Sequence, residues 1–293
     1  MNRSLLGAAM RASVLAVALT ACGGSGTGTV SITAWGEEAA TVGYPNAELA
    51  FVDGWSLHFD HWITSLSAIE LADPTSEAVV FADATPYLAD WTQAALPVPV
   101  IDTELPEGRY KVSFAFVPAV AAATRLTTVD DALAAQMVAN GWNTYVAGTA
   151  MKNGATVTFA WGMHNPVRYQ YCKNGVDESD GVAVASDQTV EAGIFVHLDH
   201  VFWDRLGSEN AQLRFDAIAG WKDATGAVPF DDLAGSSIAF LKDRSGAPIV
   251  DRGQPLAYDD AGLGLANLRD FILYSTSTQG HLNGEGQCTR VAL

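Results

Sequence analysis

Six histidines carry the strongest chemical signal in the chain, and two of them stand in the run His197-Leu198-Asp199-His200, followed by Val201-Phe202-Trp203-Asp204. In an extended strand His197 and Asp199 share a face, while His200 points the opposite way. The two imidazoles therefore reach one ion only if the chain bends near Asp199. A helical start over 201–206 supplies that bend and puts His200 and Asp204 at i and i+4, neighbours on one side. Imidazole nitrogen with carboxylate oxygen suits a divalent transition metal such as zinc, copper or iron. Another imidazole, His281, lies in the glycine-rich run Gly280-His281-Leu282-Asn283-Gly284-Glu285-Gly286-Gln287-Cys288. The expected ligands are His197 and His200 first, with His281, Asp199 or Asp204 completing the shell. The competing reading is a solvated strand end in which Asp199 merely orients a neighbouring imidazole.

Other polar groups are less specific. Along 55–71 the alternate positions Leu57, Phe59, His61 and Ile63 form an apolar face, so His61 reads as a core histidine bonded to backbone. His58 beside Asp60 reads as a solvated pair. Met163-His164 offers a thioether and an imidazole to copper, although methionine ordinarily fills gaps in a core. Trp55, Trp62, Trp91, Trp142, Trp161, Trp203 and Trp221 open a second functional class, a carbohydrate- or protein-binding surface module that stacks ligands on exposed indoles. A third class is a metal-dependent hydrolase, which needs an open coordination position beside a base such as Glu209. No catalytic residue is assigned, because GxSxG, HExxH, P-loop and dinucleotide signatures are all missing. The segment 221–228 lacks the repeated acids of a calcium loop and reads as a turn.

The elements that must position these groups are mostly strands. Runs rich in β-branched and aromatic residues occur at 29–35, 48–52, 55–71, 78–82, 109–117, 144–150, 155–161, 189–198, 212–218 and 269–275. Asn153-Gly154 separates two of them and predicts a tight hairpin, since both residues tolerate positive φ. A helix is expected from the acidic start at 128–131, with Val129, Leu133 and Met137 at helical spacing before Gly141. Shorter helices are expected at 201–206 and 259–268. The fold class that follows is mainly β: an antiparallel β-sandwich or open barrel with one or two short helices and one disulfide. With 293 residues, 49% of them hydrophobic, the chain can bury a large core. Its net charge of −17 and lack of a basic patch exclude nucleic acid as a partner.

The chain opens with Arg3 and Arg11, an apolar run over 12–21, and then Cys22 followed by glycines. That order of parts is a secretory signal peptide. Leu19-Thr20-Ala21-Cys22 resembles the bacterial lipobox, in which cleavage before the cysteine exposes a thiol that receives a lipid anchor. The resemblance implies a lipoprotein (diacylglycerol and palmitate on Cys22) with a signal peptide at 1–21, a flexible linker at 22–28 and a β-rich domain at 29–293. Gly23 is not the aspartate of an inner-membrane retention signal. The cell outer membrane is thus the expected site, on its periplasmic or surface side, with outer-membrane lipid as a partner through Cys22. Export into an oxidising compartment favours a bridge between the remaining cysteines, Cys172 and Cys288. It would close a loop of about 117 residues, for which chain entropy gives roughly 4–5 kcal/mol.

Taken with the lipobox, the segments Phe51-Val52-Asp53-Gly54-Trp55-Ser56-Leu57-His58-Phe59-Asp60, 154–161, 197–200 and 280–288 resemble a family of poorly characterised proteobacterial envelope lipoproteins. The strand-rich layout is more distantly similar to the methanobactin-associated periplasmic copper-binding protein. The likeness implies metal handling at the envelope, with an envelope metal transporter or receptor as partner. The chain lacks a complete copper-ligand pattern, so zinc, copper and iron all stay open.

Overall fold

The computed structural model describes residues 26–208 and 210–293. The expected signal peptide, the expected lipidation position Cys22 and the candidate base Glu209 lie outside the described residues. Thr27 and Gly28, expected in the linker, already belong to the strand Thr27–Gly36.

The chain is mainly β, built from two curled sheets joined by one core. The larger sheet centres on the long strand Ser56–Ala72, flanked by Thr144–Lys152 and Gly108–Phe116. The hairpin at Asn153-Gly154 forms as expected: Lys152 faces Ala155, and φ is 50° and 79° at the two turn residues. In the smaller sheet, Thr27–Gly36 lies between Val98–Pro106 and the parallel strand Thr189–Val196, and the short strand Gly280–Leu282 completes it. Inward side chains of both sheets, among them Ile32, Phe59, Phe114 and Ile194, share the core with the rings of Phe202 and Phe215.

The long strand does not alternate throughout. A bulge between Phe59 and His61 shifts its phase, and Trp62 to Ser67 are then buried on both faces. The second apolar face is covered by the helix Asp131–Asn140, whose Met137 packs with Val129, Ile63, Leu88 and Tyr145. Asp130 caps that helix and Gly141 ends it in the left-handed region, so the capping signals around 128–141 were sound. The phase shift also corrects the expectation for His61. It is half-buried and bonds the carboxylate of Asp90 at 2.7 Å, not backbone.

Other expectations fail for identifiable reasons. The runs 48–52 and 212–218 are not strands, and 259–268 is not a helix. The run 269–275, expected as a strand, is the helix Leu268–Thr276. Its aromatic and β-branched composition favours a strand. Yet Leu268, Phe271, Ile272, Ser275 and Thr276 are the buried positions, which is helical spacing, and the Asn267 side chain accepts the Asp270 N–H at 3.0 Å. There are also more short helices than the one or two expected, including Ala39–Val42 and Asp216–Ala219. Replacing Asn267 with alanine removes the cap and is expected to cost about 1 kcal/mol, read as a lower urea midpoint at unchanged m.

The disulfide Cys172–Cys288 is present. It ties the end of Val167–Gln170 to the start of Thr289–Ala292, strands that pair antiparallel at the rim of the larger sheet. Gly280 begins the site strand because a Cβ there would meet the Tyr169 ring at 2.6 Å.

Candidate metal centre

The smaller sheet brings distant histidines together through its register. Phe195 lies directly opposite His281 across the antiparallel pair. Opposed residues share a face, and His197, two residues beyond Phe195, shares it too. The chain then turns into a 3-10 helix at Asp199–Phe202, which swings His200 round to the same place. Ring centroids of His197 and His281 are 4.5 Å apart, those of His197 and His200 5.5 Å, and those of His200 and His281 5.4 Å. All three rings are buried.

His200 and His281 each have one nitrogen held by the protein, and His197 has both, its Nε2 donating to the Gly284 carbonyl at 3.3 Å. His197 Nδ1 donates to Glu37 Oε1 at 2.8 Å, and the other Glu37 oxygen accepts the Leu198 N–H. His200 Nδ1 is 2.6 Å from Thr278 Oγ1; that hydroxyl donates to the Ser275 carbonyl, so the ring donates to it. His281 Nε2 donates to the Thr278 carbonyl at 3.1 Å. For His200 and His281, tethering one nitrogen fixes the tautomer and aims the other, the arrangement of metal-ligating histidines, whereas His197 must give up a proton and its long bond to Gly284 before it can ligate. His281 Nδ1 and Asp199 Oδ1 are both buried without a hydrogen-bond partner. Both residues line one cavity, where a bound group could satisfy them.

Two triads of donors result: His197, Asp199 and His200 in one, His197, His281 and Glu285 in the other, each set within 4.8 Å. His197 belongs to both. Asp204 belongs to neither. The 3-10 helix ends at Phe202, so Asp204 does not follow His200 by a helical turn; it pairs with Arg214 Nε at 2.8 Å and accepts the Gln212 N–H. Met163 is fully buried with Thr276 against its sulfur, while exposed His164 bonds the Gly141 carbonyl, so these neighbours point apart.

Glu37, Glu285 and Thr278 were not among the sequence candidates. Glu285 stood in the quoted run with His281, but Glu37 and Thr278 carried no signal by spacing. The Trp203 ring lies against His200, tilted by 33° with centroids 3.6 Å apart, and donates to Asp199 Oδ2, closing the site from one side.

The electrostatics split the three imidazoles. Burial opposes a charge on His197, but the Glu37 hydrogen bond and the charges of Glu37, Glu285 and Asp199 outweigh it and raise its pKa to about 9. Burial and then the charge of His197 push His281 down to about 4, and burial with His197 and His281 depresses His200 as well. Asp199 is raised by burial and by Glu37. A proton therefore occupies His197 between its carboxylates, and a cation that bound there would have to displace it. A raised histidine stabilises the fold fully below the unfolded value of 6.5 and loses that contribution as pH climbs through 9. Asp199, raised toward neutrality, acts with the same sign at the lower end of this window. The unfolding free energy from urea denaturation in EDTA is thus expected to fall between pH 6.5 and 9, by at most about 3 kcal/mol, with His197→Gln flattening the slope.

The fold and site define a mainly β, disulfide-tied protein with a buried histidine–carboxylate cluster that opens on a cavity. No protein-family model, no curated protein and no solved structure matches this chain.

Proposed function

We propose that this is a lipid-anchored envelope protein that binds a divalent transition metal, zinc, copper or iron, for acquisition or delivery. One observation carries the reading: three buried imidazoles, two of them more than 80 residues from the third, have ring centroids within 5.5 Å of each other, and His200 and His281 each have one nitrogen tethered and the other without a hydrogen bond. His197, His200 and His281 are the nitrogen ligands, and Asp199 and Glu285 the carboxylates. Glu37 holds His197 from behind. The acidic surface of the chain would concentrate cations within about 10 Å, a Debye length at ordinary salt. The metal is cargo, and a transporter or receptor in the envelope is its source or destination. The alternative, a carbohydrate- or protein-binding surface module using exposed indoles, is less favoured, since all eight tryptophans are buried or half-buried.

The test is elemental analysis of protein purified without a polyhistidine tag. About one equivalent of metal is expected in the wild type and none in His197→Ala/His200→Ala. Equal contents would refute the site. Anchoring is read separately, as lipid labelling of the full chain that disappears in Cys22→Ser.

A further inference from the structure

We infer that the ion is taken together with a small apolar organic carboxylate, which coordinates it through oxygen, fills the adjoining cavity and pairs with Arg290. This deepens the metal-binding reading and rests on it. Each donor triad supplies three protein ligands, which in a four-coordinate ion leaves one position for an external donor. His200, His281, Asp199 and Glu285 face a cavity of about 780 Å3. A hydrated ion needs far less: six waters at about 30 Å3 each take up roughly 180 Å3. The volume falls instead in the range of sites for organic ligands.

The cavity walls specify the occupant. Trp203, Leu206, Leu263 and Tyr274 make an apolar flank, and Arg290 lines the same space. The Arg290 guanidinium lies over the Tyr274 ring and bonds only neutral oxygens among the described residues, Ser277 Oγ and Tyr274 Oη. In a chain with 33 acids against 16 bases, a cation without a carboxylate partner, set in the wall of a metal cavity, is placed for an anion. A planar carboxylate matches the guanidinium fork and also offers oxygen to a divalent ion. An aromatic or branched acid adds the body that the apolar flank would cover.

The experiment uses Co2+ as a visible reporter and salicylate as the acid. In the wild-type protein, saturating salicylate is expected to shift the cobalt d–d band and to tighten Co2+ binding about tenfold. Acetate, which has no apolar body, is expected to do neither. In Arg290→Gln the tightening should fall below twofold. Leu263→Glu, a change at an exposed position on the cavity wall, should weaken salicylate similarly by like-charge repulsion. The inference is overturned if salicylate strips the cobalt, leaves band and affinity unchanged, or acts on Arg290→Gln as on the wild type. A wild-type protein that shows no cobalt band at all defeats the metal-binding reading itself, which is a different failure.

Discussion

Zinc at about 1,000 times its dissociation constant is expected to raise the unfolding free energy of the metal-free protein by about 4 kcal/mol. At 2–4 °C per kcal/mol for a chain of this size, the melting temperature should rise by about 8–16 °C. His197→Ala/His200→Ala should abolish that rise. The quantity to compare is the zinc-induced difference within each variant, because removing buried rings lowers the baseline by itself. Glu37→Gln keeps every proposed ligand and removes only the carboxylate that orients His197. Loss of such a support typically weakens metal binding 10–100-fold, so the zinc-induced gain should shrink by about 1.4–2.8 kcal/mol without vanishing. Asp204→Asn provides the contrast: the Arg214 pair is broken and the baseline falls, but the zinc-induced rise should persist. A full-sized rise in the double alanine variant would place the ion elsewhere.

Replacing both cysteines, Cys172→Ser/Cys288→Ser, is expected to lower stability by about 2–5 kcal/mol, because the bridge restricts a long loop in the unfolded chain. Urea denaturation at neutral pH measures this. The effect should also reach the site. His281 lies in the strand Gly280–Leu282 and Glu285 in the turn between that strand and Cys288, and the turn is further pinned by the Lys173 N–H to the Gln287 carbonyl and the Gly175 N–H to the Leu282 carbonyl. Without the bridge, His281 should be held less firmly and zinc affinity should fall alongside stability. An unchanged urea midpoint would mean that the local backbone bonds alone suffice to hold this turn.

Several elements were legible because their signals are local. Asn153-Gly154 demands positive φ at both residues, and that requirement is met whatever packs nearby. Asp130 and Gly141 mark the ends of their helix by capping, which is equally local. The 269–275 run was misread because composition was weighed above period, although the Asn267 cap and the 3.6-residue spacing of Leu268, Phe271, Ile272 and Ser275 were there to be read. His61 was misplaced because strict alternation assumes an unbroken ladder, and a bulge between Phe59 and His61 leaves no trace in residue types. Asp204 was assigned to the site by helical spacing, but a 3-10 turn ending at Phe202 turned it toward Arg214.

Residue types alone determined that the chain is mainly β, that its two distal cysteines can pair, and that His197, Asp199 and His200 form a donor group once the chain bends. These follow from side-chain chemistry and neighbour spacing, which act over a few residues. Only the tertiary structure decided that His281 completes the cluster, that Glu37 and Thr278 orient the rings, and that a cavity walled partly by Arg290 adjoins them. Those relations depend on which strands pair and in what register. Pairing across more than 80 residues is selected by burial of the whole core, so no short stretch of chain encodes it.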